Sequence, residues 1–143
     1  MFGQKNFTDQ IERLAQATGL QIETESEELV SIPYEMEDGG QQTVWVEALD
    51  EDEAGNMIIS IYSLALNLTE SNLTLDEALE LLRENGTHHH GAWAIDEVEG
   101  EEHLMMVDTM ILETADPKAF RASVEYVAYY TDEFEAEYDK DEF

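Results

Sequence analysis

The chain of 143 residues carries 35 acidic and 6 basic side chains, a net charge of −29, and contains no cysteine. The scattered basic residues exclude nucleic acid and anionic lipid as partners, and the absence of cysteine excludes disulfides and thiolate sites. An apolar content of 43% excludes disorder throughout and is sufficient for a single domain, 1–143.

The acidity has two interpretations. It gives a repulsive surface that keeps the protein in solution, or it is an adaptation to a salty cytoplasm where screening removes the self-repulsion. It also fits a basic or polypeptide partner. No basic segment precedes an apolar run in residues 1–20, and no apolar stretch approaches the ~20 residues that span a bilayer. We therefore expect a soluble cytoplasmic protein.

The N-terminal third predicts one helix, one full strand and, between them, the start of a short strand at Leu20 and Ile22. Apolar residues recur at helical spacing over Asn6–Thr18, and Gly19 suits a left-handed C-terminal cap. The acidic segment Glu23–Glu28 has the composition of a turn. The alternating segment Leu29–Met36 predicts a strand, and Pro33 within it predicts an edge strand or a bulge, because proline cannot donate to a ladder.

Two more strands complete a predicted three-strand meander. The sequence Asp38-Gly39-Gly40 is a strong turn signal, and Gln41–Leu49 follows it as a strand. A polar loop, Asp50–Asn56, leads into Met57–Leu66, which is rich in isoleucine and apolar on both faces. Such short connections predict antiparallel neighbours.

A helix is predicted to open at Thr74. Thr74 and Glu77 match a capping box, in which each side chain binds an otherwise unpaired amide. Asn85 and Gly86 end the helix, with the glycine suited to a positive φ. The apolar stripe of this helix consists of Leu75, Ala78, Leu79, Leu81 and Leu82.

The segment His88–Leu112 predicts a long hairpin with its turn at Glu99-Gly100. Both faces of this hairpin are apolar, whereas a sheet with one wet face alternates apolar and polar residues. Helices of the chain can cover one face, so the other is a candidate for a partner. The predicted register pairs Ala94 with Met105, Ala92 with Val107, His90 with Thr109 and Asp96 with His103.

The last predicted helix starts at Asp116-Pro117, an N-cap followed by a proline in the first helical position. Its apolar face runs from Phe120 to Phe134. Beyond Asp132 the sequence is strongly acidic, so we expect the helix to fray and order to extend over about 6–135.

Few residues suggest chemistry. His88 and His90 share a face if they lie in a strand, and imidazole suits zinc, copper or nickel. A structural zinc site needs about four ligands, and His103 is predicted at the far end of the hairpin. The alternative is a polar strand start near an exposed rim. No serine has a glycine-flanked elbow and no phosphate loop is present. We therefore predict neither an enzyme nor a cofactor.

The element order, the acidity and the helix Thr-Leu-Asp-Glu-Ala-Leu-Glu-Leu-Leu at 74–82 resemble the type III secretion chaperone-like family. This family includes secretion chaperones of the CesT/SycE type and the related YbjN-like proteins. The resemblance covers Phe7–Tyr138. It implies an α+β fold with an antiparallel sheet of about five strands, in the order α-β-β-β-α-β-β-α.

The resemblance also implies a function. Such secretion chaperones are commonly dimers that hold a non-globular polypeptide segment without ATP. A YbjN-like regulatory or folding-assistance protein of a salt-adapted organism is the alternative, and a histidine-based metal-binding protein is a third hypothesis. Carried over to this chain, the homodimer surface would use Leu79, Leu82, Trp93 and Ile95, and the polypeptide client would contact Val44, Val46, Ile59 and Met105.

Overall fold

The computed structural model describes residues 4–139, with side chains from residue 7 onward. Over this range the chain forms three α-helices and six β-strands, with one 3-10 turn at Leu112–Thr114. In chain order these are α1 (Gln4–Thr18), β1 (Glu23–Ser26), β2 (Leu29–Glu35), β3 (Gln41–Glu51), β4 (Met57–Asn67), α2 (Leu75–Asn85), β5 (Ala92–Val98), β6 (Glu101–Ile111) and α3 (Pro117–Asp139).

The strands form one antiparallel sheet in the order β1-β2-β3-β4-β6-β5. The predicted α+β class is confirmed, but the sheet has six strands instead of about five. The additional strand is Glu23–Ser26, which lies within the predicted acidic turn and pairs with the start of β2. The side chains of this strand are all exposed at the sheet edge. Because solvent screens their negative charges there, repulsion between them does not prevent the strand from pairing with β2.

Pro33 lies within β2, as the sequence predicted. β3 pairs with this strand along its whole length, whereas β1 pairs only with Leu29–Ser31. From Ile32 onward β2 therefore has one open side. A proline is accommodated there because that side needs no ladder hydrogen bond.

The hairpin turn is at Glu99-Gly100, where both residues have positive φ, 53° and 84°. Two consecutive left-handed residues match the right-handed twist of the flanking strands. This turn fixes the register, and three predicted pairs are confirmed. They are Ala92 with Val107, Ala94 with Met105 and Asp96 with His103.

The predicted pair of His90 and Thr109 does not form. β5 begins only at Ala92, after Gly91 turns the chain with a φ of 80°. Thr109 pairs with Ser60 of β4 on the other side of β6.

All three helices contribute side chains to a single core on one face of the sheet. The strand residues that face this core alternate along each strand, as expected for a half-covered sheet. The strands supply Val30, Ile32, Val44, Val46, Ile59, Ile61, Trp93, Leu104 and Met106, and the helices supply Phe7, Ile11, Leu14, Leu81, Phe120, Val124, Val127 and Phe134.

The predicted helix caps are confirmed with one exception. Thr74 and Glu77 form both hydrogen bonds of the capping box, and Asp116 accepts a hydrogen bond of 2.8 Å from the amide of Ala119. Gly86, which was expected at positive φ, has a φ of −70°. Its amide still reaches Arg83, so the helical conformation persists at this position.

Helix α3 does not fray at Asp132 but continues to Asp139. Phe134 is buried in the core, and the ring of Tyr138 stacks on it with 5.6 Å between centroids. These apolar contacts hold the acidic segment in helical form. The remainder of the predicted acidic tail, 140–143, lies outside the described residues.

Candidate functional site

Helix α2 presents an exposed row of leucines. Leu75, Leu79 and Leu82, which we call the leucine stripe, are 75%, 37% and 64% exposed. Their i, i+4, i+7 spacing places them on one side of the helix. Leu81 faces the core instead and is buried. A helix with apolar residues on both sides is expected to be covered on its outer side as well.

An apolar groove runs between α2 and the edge strand β5. Its cavity has a volume of about 210 Å³. Leu82 stands on the helical side of this α2–β5 groove, and Ile95, which is 54% exposed, stands on the strand side. The remaining lining residues are Leu73, Ala78, Leu81, Trp93, Ala94 and Leu104.

The side chain of Asn85 ties α2 to β5. It accepts a hydrogen bond of 2.7 Å from the amide of Trp93 and donates one of 3.1 Å to the carbonyl of the same residue. The Trp93 ring is 7% exposed and packs against Phe134, with centroids 5.4 Å apart. Trp93, which the sequence placed at the dimer surface, is therefore mainly a core residue that closes the base of the groove.

The opposite face of the sheet carries a second concave surface, which we call the trough. Its cavity has a volume of about 230 Å³, and only strands β3, β4, β5 and β6 line it. Met105 and Tyr62, both nearly buried, belong to this lining. The remaining lining residues are Glu47, Leu49, Ser60, Ala94, Ile95, Asp96, Glu97, Val98, Val107 and Thr109.

Only one of the four predicted client residues lies on the trough. Met105 is there, whereas Val44, Val46 and Ile59 point to the other face and are completely buried. The helices of the chain itself cover these three side chains, so a partner does not reach them in this conformation. These three side chains share one face of the sheet, and that face is the one that the helices cover.

The trough combines an apolar floor with uncompensated negative charge. The pKa of Glu47 is raised, mainly by burial and to a smaller extent by the negative charges of Glu28 and Asp96. Burial and the negative charges of Glu47, Asp96 and Glu99 raise the pKa of Tyr62 to about 12. No lysine or arginine is among the residues that line it. The surface is therefore suited to positive charge.

Two of the four histidines, His88 and His90, stack on aromatic side chains of α3. His88 stacks on Tyr130 with 4.0 Å between centroids, and His90 stacks on Tyr126 with 5.0 Å. Burial lowers the pKa of His88, against the opposing effect of Glu133. Within residues 4–139 no group of three or more histidine, cysteine or acidic side chains is arranged to hold a metal ion.

Sequence reasoning did not single out Glu47, Tyr62 or Asp96. A signal for Glu47 was present, because Trp45, Glu47 and Leu49 alternate along β3. One glutamate among 35 acidic residues carries almost no information by its type, however. Only the pairing of β3, β4, β6 and β5 brings the acidic side chains around Tyr62.

Comparison with known proteins gives information on the fold of this chain. No family model matches the sequence, and no curated protein matches it. The fold is similar to that of a chain in the solved HopA1–SchA chaperone–effector complex, with a TM-score of 0.62. The match covers 93% of this chain and 95% of that chain at 7% sequence identity, so it bears on the fold alone. Separately, no helix within residues 4–139 is long and apolar enough to cross a membrane.

Proposed function

We propose that this protein is a non-enzymatic, chaperone-like polypeptide-binding protein that acts as a homodimer, in the manner of the type III secretion chaperones. The observation that carries the proposal is the pair of concave, partly apolar surfaces on either side of one edge strand. The α2–β5 groove and the trough meet at Ala94 and Ile95 of β5. The shared fold with a chain of a chaperone–effector complex supports the same conclusion.

The leucine stripe is the dimer surface in this proposal. Its Leu82 lines the α2–β5 groove together with Ile95, so the exposed apolar area continues from the helix onto the sheet edge. A helix face of this kind pairs readily with a second copy of itself about a twofold axis, because each residue then meets its equivalent or a close neighbour. The trough remains accessible on the other face for a polypeptide.

Binding of unfolded polypeptide is tested with reduced, carboxamidomethylated lysozyme as the probe and native lysozyme as its control. We expect a complex with the unfolded form only, measured by isothermal titration calorimetry in about 0.15 M salt, where the Debye length is about 8 Å. The two probes share their sequence and their basic side chains. Equal binding to both would indicate charge attraction alone, and binding to neither would overturn the proposal.

The dimer is tested by shortening the leucine stripe. The double variant Leu79→Ala, Leu82→Ala is expected to weaken the dimer by about 100-fold, because central apolar contacts dominate interfaces and each substitution acts twice in a twofold dimer. Sedimentation velocity over a concentration series measures this change. Leu49→Ala is the matched control, since Leu49 is also exposed, at 52%, but lies on the trough. A wild-type monomer at all concentrations, or an equal effect of the control, would contradict the assignment.

A further inference from the structure

The trough carries negative charge on a surface that is otherwise suited to apolar contacts. Glu47 on β3 and Asp96 on β5 both line it, and they are close enough to repel each other. The sheet itself provides no cation there, since the lining residues include no lysine or arginine. Two carboxylates that share one partly buried site destabilise each other unless a cation binds between them.

Tyr62 provides an independent indication of a ligand. Tyr62 is only 8% exposed, and it lines the trough together with Glu47 and Asp96. Within the described residues its hydroxyl makes no hydrogen bond and is not enclosed, so it opens onto the trough. A donor or acceptor of a polypeptide in the trough can reach this hydroxyl.

The edge of the sheet favours the trough over strand addition at β5. The amide and carbonyl of Trp93, which point away from β6, are both bound by Asn85. Four residues further along the same edge, the amide of Glu97 donates a hydrogen bond of 2.8 Å to the carboxylate of Asp96. Since side chains of this chain occupy these backbone groups, an added strand would have to displace them.

From this arrangement we propose that the trough binds an extended segment of a partner polypeptide and receives one lysine or arginine side chain between Glu47 and Asp96. Alternate side chains of an extended segment point the same way, so aliphatic neighbours of the cation would contact Leu49, Met105 and Val107. This inference rests on the proposed polypeptide-binding function and assigns to it a surface and a class of partner sequence.

The test uses three fluorescent peptides that differ at one position. Each alternates aliphatic and polar residues, and the central residue is lysine, its uncharged isostere norleucine, or glutamate. Fluorescence anisotropy with the full chain measures the three affinities. We expect the order lysine, norleucine, glutamate, and we expect Glu47→Gln with Asp96→Asn to weaken the lysine peptide by about tenfold or more while leaving the norleucine peptide nearly unchanged.

A charge-matched control separates this site from the general acidity of the protein. Asp9→Asn with Glu12→Gln removes two carboxylates from the exposed side of α1 and should leave all three affinities unchanged. Circular dichroism verifies that each variant is folded. Equal weakening by both pairs of substitutions would overturn the inference, as would a trough variant that alters only the oligomeric state in sedimentation. If the trough variants bind unfolded lysozyme and the lysine peptide like the wild type, this inference fails while the proposed function stands.

Discussion

Substitution of Trp93 by alanine is expected to lower the free energy of unfolding by about 3–5 kcal/mol. The Trp93 ring is nearly buried and packs on Phe134 of α3, and its backbone is bound by Asn85 of α2. Removal of the ring would leave a void where α2, α3 and β5 meet. Guanidinium unfolding followed by far-ultraviolet circular dichroism measures the change.

The chain offers a matched control for this substitution in its other tryptophan. Trp45 lies on the same sheet, opposite Tyr62 and on the face without helices, and is only partly buried. Trp45→Ala should therefore cost about 1 kcal/mol, the central value for a single substitution. An equal loss in the free energy of unfolding for the two variants would contradict the view that coverage by the helices makes Trp93 more important for stability than Trp45.

Salt is expected to stabilise this protein strongly. The net charge of −29 makes the folded chain repel itself, and the Debye length falls from about 30 Å at 0.01 M to about 3 Å at 1 M salt. Between these concentrations of sodium chloride we expect the melting temperature to rise by about 10 °C or more, which corresponds to a few kcal/mol. Differential scanning calorimetry measures it, and a melting temperature that does not change would contradict the adaptation to salt.

A variant with fewer charges separates screening from general salting-out. The side chains of Glu27, Glu37, Glu53 and Glu70 are exposed, lie in turns or loops, and accept no hydrogen bond among those described. Their combined replacement by glutamine should raise the melting temperature at low salt and reduce its rise with salt. If the rise is as large as in the wild type, it comes from stronger burial of apolar surface instead of screening.

Local signals in the sequence were sufficient for most of the fold. Glu99-Gly100 specified a tight turn, and the turn fixed the register of β5 against β6, because hairpin loop length sets strand pairing. Thr74 and Asp116 specified helix starts through side chains that bind nearby amides. Each of these features depends on residues within a few positions of one another.

Features that depend on distant contacts were predicted less well. The acidic strand β1 forms because β2 is available to pair with it, and α3 remains helical beyond Asp132 because Phe134 and Tyr138 pack in place. His90 lies outside β5, where it stacks on Tyr126 of α3. Neither composition nor periodicity indicates which distant residue a given side chain packs against.

The candidate site shows the same division. The residue types along each strand were enough to show that both faces of the hairpin are apolar, and the family resemblance led us to expect Leu79, Leu82 and Ile95 at a dimer surface. That Trp93 closes the base of the groove, and that Glu47 and Asp96 both lie near Tyr62, became visible only in the folded chain. The physical reason is that a period of two assigns side chains to a face, whereas the packing of helices and the order of strands decide which face is covered and which residues meet across it.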